Sequence, residues 1–141
     1  MGARTDNLGF LLAKAAQRWN ELLAERFARA GFPEIRPAYG SVLLPLFEED
    51  GRRIGELTAA ARVSKQTMTS LLQQMARDGL IAPEPDASDR RATRIRLAPR
   101  GRAFRPVAER VLAELDELVA RAVPVRDLTT TRETLKELMS L

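Results

Sequence analysis

The chain has 141 residues, 45% of them apolar and 30% charged, with a formal net charge of +4. That length suits a single domain, or a binding lobe with a small accessory lobe, and the composition is that of a globular chain. With no cysteine and no histidine, disulfides, thiol redox chemistry, Cys/His zinc sites and imidazole catalysis are all excluded.

Helical periodicity is the first signal along the chain. Leu8, Leu11, Leu12, Ala15, Trp19, Leu22, Leu23 and Phe27 recur at three- and four-residue steps, which predicts a helix over Thr5–Ala30. Thr5 and Asp6 are its candidate N-caps and Gly31 its stop. A second helix is expected from Pro37, where the missing N–H is harmless, to about Glu49, and Pro45 inside it should kink it. A close pair of helices follows. The first lies near Ile54–Ala60, a tight turn passes through Arg62 and Val63, and the second covers Lys65–Arg77, with Ser64 as N-cap and Gly79 at the C′ position.

The texture then changes. Leu80–Ala82 and Thr93–Leu97 read as short strands around a polar, turn-rich stretch, Pro83–Arg91, so a hairpin with a long charged tip is expected. The helical period returns from Pro99 with Phe104, Val107, Val111, Leu112, Leu115, Leu118, Val119 and Ala122. Pro106 should bend that helix or make its start irregular, and Pro124 should end it. A last helix carries Leu128, Leu135, Leu138 and Met139, and Thr130 and Glu133 have capping-box spacing. The fold class is therefore mainly α with a small β-hairpin wing. The region from about Arg53 to Leu97 is a winged helix-turn-helix.

Charge is unevenly spread. Residues 52–105 carry a balance of +7 and the remainder −3; concentrated cations attract polyanions through counterion release. With Met68, Leu71, Leu72 and Met75 turned inward, the helix Lys65–Arg77 presents Gln66, Ser70, Gln73 and Arg77 outward, flanked by Lys65, Thr67, Thr69 and Gln74. A merely solvated face usually mixes in Asp and Glu, and none occurs between Arg62 and Arg77. Gln, Ser, Thr, Lys and Arg are the side chains that read base edges and phosphates in the major groove. At the hairpin tip Asp89 lies two residues before Arg91 and next to Arg90. It can hold a guanidinium in a fixed pose, and an extended Arg on a thin hairpin suits the minor groove. Taken alone, the tip could equally be a solubilising turn.

The helix pair ending Leu71-Leu72-Gln-Gln-Met-Ala-Arg-Asp-Gly-Leu-Ile, the wing Asp86-Ala-Ser-Asp-Arg-Arg-Ala and the run Leu97-Ala-Pro-Arg-Gly-Arg resemble the MarR family of bacterial transcription regulators. Phe32-Pro33-Glu-Ile-Arg-Pro-Ala-Tyr-Gly-Ser-Val-Leu resembles the family's second helix and the loop before it. The resemblance implies a sequence-specific regulator of double-stranded DNA, a homodimeric repressor of a pseudo-palindromic operator with recognition helices about one DNA turn (~34 Å) apart. It implies one domain over residues 1–141, with 5–32 and 100–141 as an interlocking helical dimerisation region and 34–98 as the winged helix-turn-helix lobe. It assigns Ser64, Lys65, Gln66, Thr67, Thr69, Ser70 and Gln73 to major-groove and phosphate contact and Arg91 to the minor groove; Arg77, Asp89 and Arg90 complete the expected DNA-binding set.

The missing Cys and His speak against the family's thiol-switch and zinc-responsive branches, so any effector that the resemblance implies is a small organic molecule, such as an aromatic acid. Trp19, Arg36 and Tyr39 are candidate walls for its pocket, although core packing is the plainer reading of Trp19 and Tyr39, and Arg36 reads equally as a surface cation. No catalytic residue, metal or cofactor is expected, since no nucleophile–base pair, metal set or phosphate-binding Gly loop is present and the chain does not read as an enzyme. A winged-helix protein-interaction module is the competing class, but it would be expected to have lost the basic bias. No apolar run reaches the ~18–20 residues that span a bilayer and no signal-type N-terminus is seen, so no membrane association and a cytoplasmic location are expected.

Overall fold

The computed structural model describes residues 4–141. Six α-helices and a small three-stranded sheet follow in the order α1 (Leu8–Arg29), α2 (Gly40–Glu48), β1 (Arg52–Arg53), α3 (Ile54–Ala61), α4 (Lys65–Arg77), β2 (Ile81–Pro85), β3 (Thr93–Leu97), α5 (Pro99–Ala122) and α6 (Val125–Met139), with a short 3-10 turn at Pro37–Tyr39 before α2. The chain divides into two compact units, Met1–Ala108 and Glu109–Leu141.

Local chemistry explains most boundaries. Asn7, not Thr5 or Asp6, caps α1: its Oδ1 accepts the Phe10 N–H at 3.0 Å, so the helix starts three residues later than expected. The expected second helix is split, because Pro37–Tyr39 close as 3-10 turns before α2 begins at Gly40. Both α2 and α5 run through their internal prolines, Pro45 and Pro106. In α2 the buried face of Val42, Leu43, Leu46 and Phe47 offsets the lost backbone bond. In α6 the Thr130 hydroxyl donates to the Arg126 carbonyl at 3.1 Å; Thr130 lies inside the helix and caps nothing.

The sheet has the order β1-β3-β2, antiparallel throughout, with Ile81 opposite Leu97 and Pro85 opposite Thr93. Two features differ from expectation. A two-residue strand, β1, adds to the far side of β3, pairing Arg52 with Ile95 and Arg53 with Arg94. And β2 extends through Pro83 and Pro85. Both prolines are tolerated because β2 is an edge strand, where a missing N–H need not interrupt a ladder.

The core of the first unit is built from helix faces and the sheet's inner face. Phe104 is its aromatic hub, with ring centroids 4.8 Å from Phe27, 5.1 Å from Phe32 and 6.4 Å from Phe47. Leu57, Met68, Met75, Leu80 and Ile95 are essentially inaccessible. Arg100 ties the segment after α1 to the start of α5. Its Nε meets Glu34 Oε1 at 2.7 Å, another nitrogen donates to the Gly31 carbonyl at 2.6 Å, and the guanidinium lies 3.8 Å from the Phe32 ring centre. That pair holds the Glu34 carboxyl below its ordinary pKa and raises Arg100. Only Leu23 and Phe27 of the α1 stripe are buried; Leu8, Phe10, Leu11 and Leu12 are exposed. In the second unit α6 buries none of its side chains.

Candidate nucleic-acid interface

The helix pair α3–α4 is set by its turn and caps. Arg62 closes α3 in the left-handed region (φ 57°, ψ 41°), its N–H reaching back to Thr58 and Ala59. A side chain there costs about 1 kcal/mol relative to a right-handed conformation. Ser64 then caps α4, its Oγ accepting the Thr67 N–H at 3.0 Å. At the other end Gly79 takes φ +75°. Its N–H donates to the Ala76 carbonyl and that of Leu80 to the Met75 carbonyl, closing the helix by the pair of hydrogen bonds typical of a left-handed C′ glycine. The Tyr39 hydroxyl donates to Asp78 Oδ2 at 3.0 Å, anchoring this end of α4 to the turn before α2. Burial, and next the Asp78 carboxylate, push the Tyr39 phenol above its ordinary pKa.

Met68, Leu72 and Met75 are buried, while Ser64, Lys65, Gln66, Thr67, Thr69, Ser70, Gln73 and Arg77 are all exposed. The hydroxyls of three of these are committed: Ser64 to Thr67, and Thr69 to the Lys65 carbonyl at 2.9 Å. Thr69 and Lys65 also border a cavity of about 530 Å³ against α3, lined by Ile54, Thr58, Ala59 and Val63.

The wing tip is the loop 86–92 between β2 and β3. Asp89 Oδ1 accepts the Arg91 N–H at 3.0 Å and lies 3.4 Å from its Nε. The Arg91 side chain nevertheless keeps 93% of its exposure, so the carboxylate biases its pose without covering it. Arg90 is exposed beside it.

Asp86, which sequence reasoning placed at the turn without a role, is buried beneath this loop. Its Oδ1 accepts the N–H and hydroxyl of Ser88, both at 3.1 Å, and it pairs with Arg53 of β1 at 2.5 Å and Arg94 of β3 at 3.4 Å. The Asp86-x-Ser88 spacing of an Asx turn was the only local hint; the cations come from 33 residues before and eight after. The Ser88 backbone N–H, then its hydroxyl and the two guanidinium groups, hold the Asp86 carboxyl at about 2, against 3.8 ordinarily, despite burial. A depressed carboxyl stabilises the fold fully above its unfolded pKa, and that contribution is lost as pH falls towards 2. The melting midpoint is expected to fall between pH 4 and pH 2, and to fall less in Asp86→Asn. Equal acid slopes for the two proteins would refute this.

Ten of the twelve cations of the basic segment thus sort into two groups. Arg52 pairs with Glu48 and Glu49, Arg53 and Arg94 with Asp86, Arg96 with Glu84 and Arg100 with Glu34, while Arg102 donates to the Leu97 carbonyl. Lys65, Arg77 and Arg90 have no acidic partner among the described residues, and Arg91 projects from the tip. Of the expected pocket walls, Tyr39 is enclosed with its hydroxyl committed, Trp19 is half-buried and Arg36 is exposed. A shallow groove of about 620 Å³ along α1, lined by Ala13, Ala16, Gln17, Asn20, Ala24 and Pro37, includes none of the three. No described helix is long and apolar enough to cross a membrane.

Residues 37–92 match the sequence pattern described as the MarR family. The HTH-type transcriptional repressor YetL of Bacillus subtilis (strain 168) is 30% identical over 90 residues, which are 62% of this chain and 52% of that protein, so the chain spans about half the length of this curated relative. The PcaV transcriptional regulator of Streptomyces coelicolor, solved in complex with its natural ligand, superposes with a TM-score of 0.82 over 99% of this chain and 98% of that one, at 16% identity. Overoxidized AbfR bound to DNA superposes with a TM-score of 0.69 over 94% and 90%, at 21% identity. With the α3–α4 pair, its wing and the matching segment in agreement, residues 37–92 are similar in sequence to the MarR family, and the chain shares the winged helix-turn-helix fold of these solved structures.

Proposed function

We propose that the protein is a sequence-specific DNA-binding transcription regulator. One observation carries this reading: an acid-free, exposed α4 face and an exposed Arg91 belong to the same winged unit. The first suits a major groove, the second the adjacent minor groove. Ser64–Gln73 with Arg77 are the α4 contacts in this reading, and Asp89, Arg90 and Arg91 those of the wing. The AbfR likeness supports the docking mode and the YetL likeness supports repression.

The acting form in this proposal is a homodimer on a pseudo-palindromic operator in the cytoplasm. Residues 5–32 and 100–141 form the dimerisation region and 34–98 the DNA-binding lobe. The exposed apolar side chains of α1 (Leu8, Phe10, Leu11) and of α6 (Val125, Leu135) support it, since one small chain does not cover them. The likeness to PcaV, solved with its natural ligand, supports an effector, which in this reading is a small organic molecule. Because the Tyr39 hydroxyl is committed to Asp78, Trp19 and Arg36 are the better walls for its site.

The test is a titration of a selected duplex across a salt series, with sedimentation to give the stoichiometry. Lys65, Arg77 and Arg90 of two protomers meeting phosphate would give a log–log slope of about −5. A flat salt dependence, or no retention of any duplex at low salt, overturns the reading.

A further inference from the structure

Resting on that reading, we infer that each operator half-site carries two adenines about three base pairs apart, read by Gln66 and Gln73. The structure narrows the α4 candidates by what their polar atoms already do. Ser64 and Thr67 are occupied with each other at the cap, and Thr69 donates back to Lys65. Gln66, Ser70 and Gln73 are exposed and meet no hydrogen-bond partner among the described residues.

At about 100° per residue Gln66, Ser70, Gln73 and Arg77 fall on one line along α4. In helix-turn-helix docking the first turns of the recognition helix meet base edges, so the two glutamines and the serine between them face bases. Arg77, in the last turn, is left for the backbone. A glutamine amide offers one donor and one acceptor side by side. That matches the N6 donor and N7 acceptor of adenine, whereas guanine offers two acceptors there and calls for Arg or Lys. Nothing cationic lies between Gln66 and Gln73 on this line. Seven residues of helix rise about 10 Å, so with α4 laid along the groove the two glutamines reach base pairs about three steps apart at ~3.4 Å per step. Ser70, which adapts to several edges, adds little discrimination between the two positions.

The experiment is selection of bound duplexes from a random pool with the wild-type protein and with Gln66→Ala, Gln73→Ala and Gln73→Arg. The side chains are exposed and uncommitted, so thermal melts should match wild type and certify folding. The wild type is expected to enrich two A·T pairs about three base pairs apart in each half-site. Each Gln→Ala variant should relax one of them alone and weaken binding to the wild-type site by about ten- to a hundred-fold. Gln73→Arg should move its position towards guanine. Guanine at either position in the wild-type selection, or an unchanged site in the Gln→Ala variants, overturns the inference and leaves DNA binding standing. Failure of the wild type to retain any duplex at low salt overturns both.

Discussion

Gly101→Ala is expected to destabilise the protein by about 3 kcal/mol, overpacking at the upper end of the usual range, and so to lower the melting midpoint by about 10 °C. Gly101 is buried near the start of α5, and a Cβ there would lie 2.1 Å from the Leu80 carbonyl oxygen and 3.3 Å from Leu97 Cδ2. The obstacle is backbone, not the end of a mobile side chain. That carbonyl is pinned, since it accepts the Ala98 N–H at 2.9 Å, and Leu80 itself is inaccessible. Either the helix start or the base of the wing must move. Gly55 in α3 is the control, because a Cβ there meets nothing within 4 Å. Gly55→Ala is expected to stabilise the protein by up to ~1 kcal/mol, which alanine gains over glycine in a helix, and so to raise the midpoint by about 3 °C. If Gly101→Ala melted with the wild type in calorimetry, the close approach of α5 to Leu80 would be wrong. The glycine that opens the helix after the wing is thus a spacing device. It brings α5 against the residue that links α4 to β2, and so helps set the wing beside the recognition helix.

Arg91→Ala is expected to weaken binding to an A·T-flanked operator by about ten- to a hundred-fold, the span typical of a lost base-level contact. The loss should shrink on a duplex whose flank is G·C-rich, because a narrow A·T minor groove is where the potential is most negative. Arg90→Ala should act differently, lowering affinity on all duplexes alike and reducing the salt slope by about 1 per protomer. Asp89 separates pose from charge. Its Oδ1 accepts the Arg91 N–H and sits beside Nε, and such an exposed pair contributes at most about 1 kcal/mol to stability. Asp89→Asn keeps an oxygen for the N–H and loses the ionic partner, so it should melt as wild type and bind with an intermediate loss. Fluorescence polarisation on the two duplexes checks all three variants. Wild-type affinity for Arg91→Ala on both would remove the wing from the interface.

The helix-turn-helix was legible in the residues themselves. α4 begins after Ser64 and ends at the Gly79 turn as expected, since an N-cap hydroxyl and a left-handed glycine act within one turn of chain. Thr93–Leu97 was legible through its strict alternation. The elements that differ depend on neighbours distant in sequence. β1 is two residues long and exists because β3 offers it a ladder. β2 keeps two prolines because it is an edge. The expected buried stripe of α1 is half bare because Leu8, Leu11 and Leu12 lie beyond the part of the helix that this chain covers.

For the candidate interface itself, the sequence determined the residue types: a basic stretch of +7, an outward helix face without acids, and an Asp–Arg tip. Charge and helical period are properties of the local chain, so these needed no coordinates. Tertiary structure decided which of those cations face outward. Arg52, Arg53, Arg94, Arg96 and Arg100 are drawn into pairs with carboxylates from other elements. Lys65, Arg77, Arg90 and Arg91 are left on the surface. A carboxylate selects its partner by distance through space, at a few ångströms, and that distance is set only when the strands and helices have packed.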